Sequence, residues 1–138
     1  MAKILNPTEV QTVNVDIGAV TALEGWGIDL NSLGLAGTSA DTVAVGLIMT
    51  PVTSGVIGYG QATGQDVECA VGNVLVEIDS SDAVATFNDT NYGVGGSVGF
   101  TDGKFAYNAT SKRGVVVANT LESGSLVRAV VLIDKVLG

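Results

Sequence analysis

The densest run of acidic side chains is Glu77-Ile78-Asp79-Ser80-Ser81-Asp82, in which two aspartates flank a turn-like pair of serines. Carboxylate oxygens so spaced could lend ligands to a calcium ion. The run lacks the glycine and the closing glutamate of an EF-hand loop, so Asp79 and Asp82 are expected in a solvated turn and no metal is assigned. There is no histidine anywhere, which removes Ser-His and Cys-His nucleophile pairs and nitrogen-ligated zinc or iron. Cys69 is the single cysteine and cannot close an intrachain disulfide. Alternation in Gln65-Asp66-Val67-Glu68-Cys69-Ala70-Val71 groups it with Val67 and Val71 on an apolar face, as a buried small hydrophobe and not a reactive thiol. Gly93-Val94-Gly95-Gly96 precedes neither a helix nor a lysine, so it reads as a flexible loop and not a phosphate cradle. Asn88-Asp89-Thr90 and Asn108-Ala109-Thr110 match the glycosylation acceptor pattern, which carries no meaning without a secretory route. No carboxylate pair stands in a setting that would raise one partner for glycosidase chemistry, and a small β-domain has little surface left for a cleft. The expectation is a non-enzyme with no cofactor and no small-molecule substrate.

Composition bounds the class. The chain has 138 residues, enough for one core, with 14 acidic and 6 basic side chains and a net charge of −8. Binding to a phosphate backbone depends on Lys and Arg releasing counterions, so nucleic acid is not an expected partner. The one basic pair, Lys112-Arg113, reads as a solvated entrance to a strand. Apolar residues come in runs far shorter than the roughly 18 needed to cross a bilayer as a helix, so no membrane partner is expected. Met1-Ala2-Lys3-Ile4-Leu5-Asn6-Pro7 has one lysine and no apolar stretch of signal-peptide length, so export by that route is not expected. Nineteen glycines against two prolines, without a Gly-X-Y period, suit short strands joined by tight turns.

The elements that would position any site are strands. Asp102-Gly103, between Val98-Gly99-Phe100-Thr101 and Lys104-Phe105-Ala106, predicts a two-residue type I′ hairpin, because that turn needs positive φ at both central positions. Arg113 to Asn119 and Leu126 to Ile133 are near-continuous β-branched runs predicted as strands buried on both faces, joined by a turn over Thr120-Leu121-Glu122-Ser123-Gly124-Ser125. Further strands are predicted over Val10 to Val15, Thr42 to Met49, Val56 to Tyr59, Gln65 to Val71 and Asn73 to Ile78, with Asp16 to Leu23 a loop or one poor helical turn. The predicted fold is all-β, a small barrel or sandwich of short antiparallel strands with long loops and little helix. Residues 1–9 lack periodicity and contain Pro7, so they are expected to form a flexible N-terminal arm ahead of a single β-domain over 10–138. Trp26, the only tryptophan, stands between Gly25 and Gly27 and fits either a core plug or an interface anchor.

An internal echo is visible. Gly27-Ile28, Val43 to Leu47 and Asp66 to Val71 correspond to Gly99-Phe100, Gly114 to Ala118 and Leu126 to Val131, at offsets of 72, 71 and 60 residues. Chance recurrence of valine-rich strands and true duplication both fit so drifting an offset. Duplication would mean that two similar β-motifs combine in one barrel or sandwich.

The order of segments in the second half resembles the head decoration, or capsid cement, proteins of tailed bacteriophages. The likeness runs over residues 65–135, through the strand Asn73 to Ile78, the turn Phe100-Thr101-Asp102-Gly103-Lys104-Phe105, Arg113-Gly114-Val115-Val116-Val117-Ala118, and Gly124-Ser125-Leu126-Val127-Arg128-Ala129-Val130-Val131-Leu132. The polar linker Asn108 to Lys112 departs from that pattern, and residues 24–64 share only an apolar, glycine-rich character. The resemblance implies a structural virion protein without an active site. Such a protein is made in the host cytoplasm, binds the major capsid protein on the outer head surface, commonly as a homotrimer, and braces the shell against internal DNA pressure. Capsid contact is then expected at the arm, with Ile4, Leu5 and Pro7 as anchors and Val10 and Val13 on a strand able to join a capsid sheet edge; the arm would order on binding. The alternative is a receptor- or glycan-binding β-module of a phage tail or fibre, which would expose aromatic platforms.

Overall fold

The computed structural model describes residues 1–7, 9–15, 24–29, 34–35, 45–49 and 65–133. The expectations for Asp16 to Leu23, Thr42 to Ala44 and Val56 to Tyr59 lie outside those residues. The strands are β1 (Lys3–Ile4), β2 (Glu9–Val15), β3 (Gly27–Asp29), β4 (Gly34–Leu35), β5 (Val45–Ile48), β6 (Gln65–Val71), β7 (Val74–Ile78), β8 (Ser97–Thr101), β9 (Lys104–Ala106), β10 (Gly114–Glu122) and β11 (Ser125–Ile133). The described helix is one 3-10 turn, Ser80–Asp82. The all-β expectation holds: a six-stranded sheet, ordered β1-β7-β11-β10-β8-β9, curls into a half-barrel, and a five-stranded sheet is ordered β2-β6-β5-β3-β4.

Both sheets are built on one plan. Strands β2 to β6 lie in the order first-fifth-fourth-second-third, and strands β7 to β11 lie in that same order, with every neighbouring pair antiparallel. The echo in the sequence is therefore matched in topology, with β3, β5 and β6 taking the places of β8, β10 and β11. Gly72 and Asn73 join the two units, Gly72 at a φ of +86° that L side chains rarely adopt. β1 stands outside the plan, as a sixth strand on the outer edge of β7.

The core lies against the curled sheet. In β7 the period-two pattern puts Val74, Val76 and Ile78 inside, where they meet Phe100, Phe105, Val116, Ala129, Val131 and Ile133. The smaller sheet reaches this core through Leu47 and its cross-strand partner Ala70. Gly27 in β3 lies so close to Phe100 that a Cβ there would stand 2.8 Å from the ring, and its N–H donates to the carbonyl of Gly103 at 2.8 Å. The Asp102-Gly103 turn thus also fastens one sheet to the other.

Several local expectations are corrected. The type I′ hairpin forms as predicted, with Asp102 at φ +48° and Gly103 at +84°. The six-residue turn between the last two strands does not form. Ser123 and Gly124, at φ +51° and +79°, make a second two-residue turn, and pairing continues to Glu122 and Ser125. Nor are these strands buried on both faces throughout. β10 pairs with β8 only at Gly114 and Val115, and β11 with β7 only from Ala129 onward, so the distal half of the hairpin is a two-stranded ribbon with Val117 and Leu121 exposed. Gly93–Gly96 is no free loop: the Gly95 N–H donates to the Val116 carbonyl and the Val116 N–H to the Gly96 carbonyl, both at 2.8 Å. Arg113 is buried, not solvated, because its strand begins inside the sheet, where its N–H donates to the Val98 carbonyl.

Candidate binding surface

The acidic turn is an internal clasp. Asp79 is the N-cap of the 3-10 turn: its carboxylate accepts from the Ser81 N–H at 2.9 Å and the Ser81 hydroxyl at 2.5 Å. Asp82 returns the favour of a capping box by accepting from the Asp79 N–H at 3.1 Å. Asp82 is fully buried, and its other carboxyl oxygen accepts from the Trp26 indole N–H at 3.2 Å. The Met1 ammonium meets Asp79 and lies 3.6 Å from Asp82. Burial alone would raise the Asp79 carboxyl. Hydrogen bonds from the Met1 ammonium and from Ser81 outweigh that and hold it at about 2. These carboxylates point at protein donors, and no group of three or more His, Cys, Asp or Glu among the described residues is arranged to hold a metal.

Trp26 is a core residue. It is 8% exposed, bonded to Asp82, with the Lys104 ammonium 5.2 Å from its ring centroid, so it has no surface to offer as an interface anchor. The aromatic surface of Tyr92, Phe100 and Phe105 is likewise enclosed, with the Tyr92 hydroxyl donating to the Val84 carbonyl at 2.5 Å. Cys69 is buried beside Val67 and Val71 as the alternation predicts, and burial pushes its thiol up to about 11.

The N-terminal segment is not loose over its first residues. Ala2 is buried against Gly25, Lys3 and Ile4 pair with Glu77 and Val76 of β7, and the Leu5 N–H donates to the Leu75 carbonyl at 2.8 Å. The expected arm is held because a small side chain at position 2 fits where Gly25, at φ +85°, brings the backbone close. Ile4 packs on the core and is therefore a poor anchor for a partner. Leu5, Pro7 and Val10 are exposed, Leu5 at 44% and Val10 at 46%. Val13 is opposite Val67 in the β2–β6 pairing.

The edges of the two sheets differ in how they are closed. Exposed backbone edges invite foreign strands, and proteins blunt them by shortness, bulges, charge or cover. β1 has two residues, and the Ile4 N–H is taken by the Glu24 carboxylate at 3.3 Å. β4 has two residues. β9 has three and is covered by Ala83 and Val84, the latter donating to the Phe105 carbonyl at 2.8 Å. Among the described residues β2 has neither shortness, bulge nor cover. It runs for seven residues in unbroken register with β6, carries one charge, Glu9, and exposes Glu9, Val10, Gln11 and Thr12. Of the residues expected at a contact, Val10 and Val13 lie on this strand and Ile4, Leu5 and Pro7 precede it, whereas Glu24 and the Asp82–Trp26 bond have no part in that expectation. The Asp79-Ser-Ser-Asp82 spacing was the available signal for the capping box; nothing local signals a partner 56 residues away.

No described helix is long and apolar enough to cross a membrane. Set against known proteins, the chain matches no family model, no curated protein and no solved structure.

Proposed function

We propose that this protein is a structural binding module whose role is to decorate a tailed-phage head, seated on the major capsid protein at the outer surface and assembled as a homotrimer. The carrying observation is the β2 edge: among the described residues it is a long, uncovered strand beside exposed Leu5, Pro7 and Val10, and the other described edges are short or covered. The resemblance of residues 65–135 to capsid cement proteins supplies the shell as the partner. The side chains that could do chemistry support a binding role, since Asp79, Asp82 and Cys69 are all engaged or enclosed within the fold. A glycan- or receptor-binding role has less support, because Trp26, Tyr92, Phe100 and Phe105 are buried.

Co-sedimentation with expanded and unexpanded heads tests the reading. Binding to expanded heads near one copy per capsid subunit is expected. Val10→Lys, which puts a charge on the exposed edge strand, should weaken it by at least about tenfold. Sedimentation equilibrium should return three times the 13.9 kDa chain mass. Absence of binding to either head form would overturn the shell assignment and favour the tail or fibre module.

A further inference from the structure

The shared plan of the two units says what kind of ligand the β2 edge takes. β2 and β7 are equivalent, each being the first strand of its unit and each pairing on its inner side with the fifth. On the outer side of β7 lies β1, a short extended segment that pairs antiparallel, with Lys3 opposite Glu77 and Ile4 opposite Val76. The matching position on β2 has no strand partner among the described residues. Among the described residues, one half of the molecule therefore displays the bound form of an edge that the other half presents open.

We infer that the outer edge of β2 is an acceptor site for an extended, cationic and aliphatic segment of a partner protein, which adds antiparallel to β2 as β1 adds to β7. Main-chain hydrogen bonds supply the affinity in such strand addition, and alternate side chains supply the selectivity. The charge around the site argues for a foreign donor over a second copy. Neither β2 nor β6 contains Lys or Arg, Glu9 and Glu68 are exposed on them, and the whole chain carries −8. Two copies meeting there would bring like charge together, whereas a cationic strand would be drawn to Glu9 and Glu68. Val10 offers the aliphatic contact. The inference specifies the donor chemistry of the face assigned above. It rests on that reading only in taking β2 as the binding face, and it does not require the donor to be a phage shell.

The probe is the chain's own template, a blocked peptide Ala-Lys-Ile-Leu-Asn copied from residues 2–6. It is titrated to about 5 mM, since short unordered peptides bind weakly, into isotope-labelled full-length protein observed by amide spectra. Saturable shifts across Glu9–Val15 are expected, reduced at least about tenfold when the peptide lysine is replaced by glutamate or when Thr12→Lys is introduced into the protein. A second form tethers the same peptide to the full chain through a flexible linker of about 20 residues, spanning roughly 25 Å and giving about millimolar effective concentration. Hydrogen exchange of the Glu9–Val15 amides should then slow at least about threefold. No shift and no added protection at β2, or changes indifferent to the lysine and to Thr12→Lys, would overturn the inference. Neither result depends on heads, so failure of the shell assignment and failure of strand acceptance are read separately.

Discussion

Asp82→Ala is the sharpest test of how the two sheets are held together. The carboxyl group of Asp82 is fully buried and accepts from two donors, the Trp26 indole N–H at 3.2 Å and the Asp79 N–H at 3.1 Å. Alanine removes both acceptors and leaves the Trp26 donor buried and the Asp79 donor part-buried without a partner. A buried donor left without a partner costs about 1–3 kcal/mol. Two such losses, partly offset because the alanine variant no longer buries a carboxyl group, give an expected destabilisation of about 3 kcal/mol. For a domain of this size that is a fall of about 12 °C in Tm, at roughly 4 °C per kcal/mol. Urea unfolding followed by far-ultraviolet circular dichroism gives the free energy, and tryptophan emission reports the same transition at Trp26. A double-mutant cycle isolates the inter-element bond: with Trp26→Phe already in place, Asp82→Ala should cost about 1–2 kcal/mol less than in the natural chain. A cost below about 1 kcal/mol, or additivity within about 0.5 kcal/mol, would refute the clasp as a tie between the Trp26 segment and the turn after β7.

Further outcomes follow from single positions. A Cβ at Gly99 would sit 2.0 Å from the Ser111 carbonyl oxygen and 2.7 Å from the Ala109 Cβ, so Gly99→Ala should cost at least about 3 kcal/mol by urea unfolding. Gly124, at φ +79° with nothing within 4 Å, isolates the backbone term, and Gly124→Ala should cost only about 1–2 kcal/mol in the same assay. The Asp79 carboxyl titrates at about 2 in the folded protein against 3.8 in the unfolded chain. The unfolded state therefore binds the proton first as pH falls, and this contribution, fully present above pH 3.8, is lost between there and about pH 2. The side chain is 36% exposed, so screening limits the effect to under about 1 kcal/mol; Asp79→Asn should flatten that part of the acid-unfolding curve. Cys69 should resist a thiol reagent at pH 8 in the native protein and react fully in denaturant, as a thiol raised to about 11 by burial requires.

Much of the fold is legible locally because strands and tight turns are local events. Period-two alternation places β6 and β7, and Asp102-Gly103 marks a type I′ turn, since few residues accept the backbone angles it needs. Ser123-Gly124 forms the same turn but stands inside a polar hexapeptide. Composition there blurred a boundary that the paired backbone draws sharply, because Leu121 and Glu122 are held by Leu126 and Ser125 and not by their own propensity. The segment 1–5 looked like an arm because two paired residues leave no period to detect. Its order depends on the outer edge of β7 and on the space at Gly25, both remote in the chain.

By itself, the sequence determined the all-β class, the positions of most described strands and the enclosed state of Cys69. All of these follow from alternation, turn chemistry and composition, which neighbours along the chain carry. Tertiary structure alone decided that the drifting echo is a repeated strand order, that Trp26 and Asp82 close on each other inside the molecule, that Arg113 is buried, and which sheet edges are closed. Those properties belong to pairs of segments tens of residues apart. An edge is open or covered according to what lies beside it in space, and hydrogen bonding across that gap leaves no periodic trace in either partner.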